Sequence, residues 1–156
     1  MPAFSHMTTD AHSIFDFFLK TLKPTTPLFL MGRSLGSHSA LELACHYSEH
    51  IRGPLLEPGS PSMARLLSLF GFPSDQAEHI EEASLAMIRS ITLPVLIIHG
   101  ERDSMIPPTE ATKLFENLTS KEKRLVTIPG ADHNDIMLVG MERYFSAIRD
   151  FVFPRK

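Results

Sequence analysis

The sequence predicts an α/β protein built on a mostly parallel sheet. Three observations carry this expectation. Short apolar runs alternate with stretches whose apolar residues recur every three to four positions. One run, Pro94–His99 (PVLIIH), is apolar almost throughout, as a strand covered on both faces requires. The pattern Gly32-Arg33-Ser34-Leu35-Gly36 falls where one apolar run ends and a helical stripe begins.

The elements follow in order. Asp10 to Lys23 carries Ala11, Ile14, Phe15, Phe18, Leu19 and Leu22 on one helical stripe, with Asp10 placed to cap it and Pro24 to end it. Pro27–Met31 (PLFLM) reads as a buried strand. Leu35 to His50 reads as a helix through Ala40, Leu41, Leu43 and Ala44. Gly53 to Leu56 is a weaker strand. Residues 60–89 are punctuated by Pro61, Gly71 and Pro73 and read as an excursion from the regular alternation. After PVLIIH, Thr109 caps a helix to Leu118, and Arg124–Ile128 (RLVTI) forms a strand. Asn134 to Val152 forms a last helix with Ile136, Met137, Met141, Phe145, Ile148 and Val152 inward. This alternation predicts parallel strands joined by right-handed crossovers.

Composition narrows the function. At 156 residues the chain makes one domain, with 43% hydrophobic and 21% charged residues. A net charge of −3 offers no basic field for nucleic acid or anionic lipid. Cys45 is the single cysteine, so no intrachain disulfide forms, which fits a reducing setting. No apolar run is long enough to span a bilayer. The opening MPAFSHMTTD does not read as a secretory signal. A cytoplasmic location is the resulting expectation.

The chemistry centres on Ser34. Gly-x-Ser-x-Gly between a strand and a helix sets the serine on a sharp turn, its hydroxyl above the carboxyl edge of the sheet. The helix start aims N–H groups at an oxyanion forming there. A serine hydroxyl needs a base, and the base an orienting acid. Asp103 follows PVLIIH in the loop GERD, and His133 follows RLVTI in the loop PGADHND. Both thus fall at the carboxyl ends of strands, on the edge that carries Ser34.

These segments resemble the C-terminal part of an α/β-hydrolase. GRSLGS is similar to the nucleophile elbow of that family, PVLIIHGERDSMIP to its acid strand and loop, and PGADHNDI to its histidine loop. Ala-Asp-His-Asn-Asp-Ile further resembles the branch that holds bacterial serine hydrolases and the eukaryotic ABHD-type protein depalmitoylases. The resemblance covers nearly the whole chain. It implies a partial domain over residues 1–156, a mostly parallel sheet of the α/β-hydrolase type lacking the N-terminal strands, and a short cap over 60–89. It implies Ser34 as nucleophile, His133 as general base, Asp103 as its partner and the Leu35 N–H as an oxyanion donor. It implies no metal or organic cofactor, and a small-molecule or acylated substrate. Family members carry further strands and a loop that gives a second oxyanion N–H. The only His-Gly pair here is His99-Gly100, in the acid strand. The chain therefore reads as a fragment, with PLFLM at an exposed sheet edge that invites self-association.

Other residues compete for roles. Glu57, after GPLL, and Glu101 are rival acids to Asp103. His46-Tyr47-Ser48-Glu49-His50 spells a zinc-peptidase pattern, yet its place at a helix end suits histidine without a metal. His6, His12, His38 and His79 have no spacing that suggests a site. Arg33 is a structural ion-pair donor or a substrate contact. Met63, Met87 and Met105 would line an acyl pocket if the excursion is a lid. Two functions remain: a serine hydrolase of ester, thioester or related acyl bonds, or a catalytically incompetent fragment acting as a binding or association module.

Overall fold

The computed structural model describes residues 2–23, 25–57 and 77–154. Its elements are α1 (Pro2–Thr21), β1 (Leu28–Arg33), α2 (Gly36–His46), β2 (Ile51–Glu57), α3 (Ala77–Ser90), β3 (Val95–Gly100), α4 (Pro108–Asn117), β4 (Lys123–Ile128), α5 (Ile136–Val139) and α6 (Met141–Val152). The four strands lie side by side in chain order, all parallel. Each link between strands contains a helix, as parallel pairing demands.

Successive side chains of a strand point to opposite faces, and β3 divides its residues this way. Val95 and Ile97 pack with Leu56 of β2 under α2, α3 and α4, where Ala40, Leu41, Ile88, Ile91, Ala111 and Leu114 are buried. Leu96 and Ile98 face the other side, where Leu55, Val126 and Ile128 pack against Ile136, Tyr144 and Ala147 of α5 and α6. All six residues of β3 are buried. A smaller cluster of Phe15, Leu43 and Ile51 holds α1 against α2 and the start of β2. β1 is an end strand among the described residues, and its Met31 is 56% exposed.

Several boundaries differ from expectation. Helix α1 starts at Pro2, so Asp10 lies inside it and caps nothing. Proline tolerates the first helical position because that N–H has no helical partner. The helix after the elbow ends at His46, and the chain then turns into β2, two residues ahead of the expected Gly53. Pro107 stands where Thr109 was expected to cap α4, and Pro108 takes the first helical position. The last helix breaks at Gly140, where a Cβ would collide with the Ile128 side chain. The excursion ends in the regular helix α3; its residues 60–76, with Met63, lie outside the described residues, as does Pro24.

The apolar stripes are also displaced. Ile14, Phe18, Met137, Met141 and Phe145 were expected inward and are exposed. Ile136 and Ile148 pack as expected, and beyond the Gly140 break Tyr144, Ala147 and Phe151 complete the packed face. Met87 packs, partly buried, against the main core.

Candidate active site

Strand β1 delivers its chain to Ser34, which has φ 51, the left-handed region that a non-glycine residue enters only when its surroundings hold it there. The Ser34 N–H donates to the Glu57 carbonyl at 2.8 Å, and the Ser37 N–H donates to the Ser34 carbonyl at 3.0 Å. The buried Ser37 hydroxyl donates to the carbonyls of Gly32 and Glu57, at 3.0 and 3.2 Å, and closes the turn from beneath. The Leu35 and Gly36 N–H groups stand at the open N-terminal end of α2.

The two glycines of the pattern are not equivalent. A Cβ on Gly32 would lie 2.6 Å from the Gly36 carbonyl and from the Ser37 Cα, whereas a Cβ on Gly36 meets nothing within 4 Å. Close packing therefore demands glycine at Gly32 and not at Gly36. Gly32→Ala is expected to cost about 1–3 kcal/mol of unfolding free energy through this backbone clash. Gly36→Ala is expected to be neutral or to stabilise by up to about 1 kcal/mol. Urea denaturation of the two variants checks the contrast.

Ser34, His133 and Asp103 come together. His133 Nδ1 lies 2.9 Å from Asp103 Oδ2, and His133 Nε2 lies 3.3 Å from Ser34 Oγ. A carboxylate only accepts, so the Nδ1 proton points at Asp103 and the Nε2 lone pair at the serine hydroxyl. Asp103 and His133 are both buried. Asp103 Oδ1 also accepts the backbone N–H groups of Met105 and Ile106, at 3.0 and 2.7 Å, which fixes the carboxylate.

The rival acids are engaged elsewhere. Glu101 Oε2 accepts the Gly130 N–H at 2.9 Å and ties the acid loop to the histidine loop. Glu57 is buried, with Oε1 accepting from Arg33 Nε at 2.9 Å and Oε2 accepting from the Tyr144 hydroxyl at 2.5 Å. Arg33 also donates to the His133 carbonyl at 2.8 Å and to Asn134 Oδ1 at 3.2 Å. Arg33 is therefore an ion-pair donor that joins β1 to the loop carrying His133. Burial, then the bond to Glu57, pushes the Tyr144 phenol above its ordinary value.

A second clip was not foreseen. Asp132 Oδ1 accepts the N–H groups of Ser104 and His133, at 2.8 and 2.7 Å, and the Ser104 hydroxyl at 3.0 Å. The bond from the Ser104 N–H, then that from the His133 N–H, holds its carboxyl below the usual range. The sequence offered one signal, an acid directly before the histidine, but not its partner 28 residues earlier.

His99 is buried beneath this site. Its Nε2–H donates to the Ile106 carbonyl at 2.9 Å, and Nδ1 has no hydrogen-bond partner among the described residues. Burial lowers the pKa of His99 below its ordinary 6.5, outweighing the Ile106 bond and Asp103, which raise it. Burial likewise lowers His38, against Glu42. Each ring binds a proton more readily in the unfolded chain. Their contribution to stability is complete above about pH 6.5 and is lost as pH falls below it. The urea midpoint is expected to be lower at about pH 5.5 than at about pH 7.5; an equal or higher midpoint would contradict this.

A family model described as an alpha/beta hydrolase domain matches residues 5–139. The chain belongs to this family. Among curated relatives, human alpha/beta hydrolase domain-containing protein 17B is 30% identical over 127 residues, 80% of this chain and 41% of that protein. Protein bem46 of Schizosaccharomyces pombe is 27% identical over 97% of this chain and 52% of its own length. A Saccharomyces cerevisiae relative, named an uncharacterized membrane protein, is 28% identical over 97% of this chain and 51% of its length. The chain thus spans about half the length of these relatives. Among the described residues no helix is long and apolar enough to cross a membrane.

Solved structures share the α/β-hydrolase fold. The monoacylglycerol lipase of Paleococcus ferrophilus superposes with a TM-score of 0.70 at 21% identity, covering 93% of this chain and 75% of the lipase. Est1E of Butyrivibrio proteoclasticus gives 0.70 at 20% identity, over 93% and 69%. In this chain a surface depression lined in part by Pro27, Phe29, Pro94, Lys121 and Phe151 lies at the N-terminal ends of the strands. The Ser34 hydroxyl lies at the opposite edge, where Met105 is exposed.

Proposed function

We propose that this α/β-hydrolase domain carries the reacting groups of a serine hydrolase that cleaves ester, thioester or related acyl bonds in a small-molecule or acylated substrate. The observation behind this reading is the hydrogen-bonded series from Ser34 Oγ through His133 to the buried Asp103. His133 Nε2 takes the Ser34 proton as Oγ attacks the carbonyl carbon. The Leu35 N–H faces the developing oxyanion, and Asp103 stabilises the imidazolium. His133 returns the proton to the leaving group, the acyl-enzyme forms, and water activated by His133 releases the acid. A second oxyanion donor would add on the order of 10²–10³ in rate. Fluorophosphonate labelling that requires both the folded state and Ser34 would support this reading. A cooperative melt without labelling would overturn it for this chain.

A second reading rests on end strand β1, which among the described residues pairs with β2 along one side only. In that reading the chain is an association module. Sedimentation of an unlabelled, folded chain as a dimer or larger species would favour it.

A further inference from the structure

The sequence singled out His46 and His50 as helix neighbours, but α2 ends at His46, and His50 does not share its face. The structure instead brings His46 to Glu42 and to His12 of α1. The ligating atoms of these three residues lie within 4.8 Å of one another. His12 Nε2 and His46 Nδ1 each stand 3.3 Å from Glu42 Oε1.

The Tyr47 hydroxyl has one proton and donates it to Asp16 Oδ1 at 2.8 Å. Its oxygen must then accept from His12 Nδ1–H, 3.1 Å away. With the ring neutral, His12 Nε2 presents a lone pair to a carboxylate oxygen. Two lone pairs facing each other need a cation between them or a proton on the ring. The two nitrogen-to-oxygen separations of 3.3 Å suit a metal ion. Tetrahedral zinc bonds nitrogen at about 2.0–2.1 Å and carboxylate oxygen at about 2.0–2.2 Å, which separates adjacent ligand atoms by about 3.3–3.5 Å. The Asp16–Tyr47–His12 series also matches the outer shell that ligating histidines ordinarily have, with the second ring N–H held by a polar group.

We propose that His12, Glu42 and His46 form a site for a divalent transition-metal ion of the zinc type, with water in the fourth position. Coordination exchanges the His46 Nδ1 bond to its own-helix carbonyl, Glu42 O at 3.0 Å, for a metal bond. His46 lies at the far end of α2 from the elbow, about 15 Å along the helix axis. The ion therefore acts structurally, tying α1 to the helix that follows Ser34. Outside the small Phe15 cluster, α1 has exposed apolar residues such as Phe17 and Phe18, so a cross-link from α1 to α2 has an evident use.

The test uses the full chain, stripped with a chelator and titrated with zinc against a chromophoric competitor. One zinc per chain is expected, with at least tenfold weaker binding in His12→Ala and in Glu42→Gln. Tyr47→Phe should weaken it by about 10–100-fold through loss of the ring's outer partner. His50→Ala should leave it unchanged. Cobalt in the unmutated chain should give the strong visible bands of tetrahedral coordination, which requires no variant to fold. A folded chain that takes up no stoichiometric zinc overturns the proposal. So does zinc affinity indifferent to both His12→Ala and Glu42→Gln, or a weak octahedral cobalt spectrum.

Discussion

Ser34→Ala is expected to abolish fluorophosphonate labelling and to lower acyl-bond hydrolysis by on the order of 10⁶-fold. His133→Ala should cost about as much, and the double variant no more than either alone. The reason is that in the proposed reaction Oγ and Nε2, 3.3 Å apart, act as one unit. Without the base the hydroxyl keeps its proton, and without the hydroxyl the base has nothing to activate. What remains is the rate supplied by binding and by the backbone donor. Asp103→Asn should cost less, about 10⁴-fold, because the amide reverses the donor and acceptor pattern at Nδ1 and leaves the ring in the wrong tautomer. Glu57→Gln and Glu101→Gln leave this contact in place and should cost far less than Asp103→Asn. Turnover per mole of folded chain measures all six variants. Additive losses for Ser34 and His133, or equal losses for the three acids, would overturn the assignment of roles.

The parts legible in the sequence were those written in neighbouring residues. β3 is buried on both faces, so its side chains are apolar in all but His99, and PVLIIH announces it. The order of Ser34, Asp103 and His133 was readable because each follows a strand, and parallel strands bring their carboxyl ends to one edge. The stripe of the last helix was misread because Gly140 breaks it against Ile128 and resets its phase. Met141 and Phe145 then turn outward while Tyr144 and Ala147 turn inward. Contacts between distant residues left no local trace. Arg33 reaches the His133 carbonyl across 100 positions, and His12 reaches Glu42 across 30. No periodicity encodes such pairs.

Glu57→Ala is the second variant with a large expected effect, and it separates stability from positioning. The Glu57 carboxylate has two partners of different exposure. Arg33 is 47% exposed on its side chain and can regain water when the carboxylate goes. Tyr144 is 2% exposed, so its hydroxyl would be left buried without its acceptor. The loss should therefore be dominated by Tyr144, and Glu57→Ala is expected to lower unfolding free energy by about 2–4 kcal/mol. Adding Tyr144→Phe should then recover part of that loss, since the stranded hydroxyl is gone; a double-mutant cycle in urea reads the coupling. Arg33→Lys tests the other branch. A guanidinium bonds Glu57 through Nε and the His133 carbonyl through a second nitrogen, whereas one ammonium cannot span both with the same fork. The variant should fold with near-normal stability yet lower kcat by about 10–100-fold with KM little changed, because the histidine loop loses a tether while the binding surface stays. Equal stability for Glu57→Ala and the Glu57→Ala, Tyr144→Phe double variant would show that the buried hydroxyl finds another acceptor. Full kcat in Arg33→Lys would show that the clip from Asp132 to Ser104 alone is enough to hold His133 against Ser34.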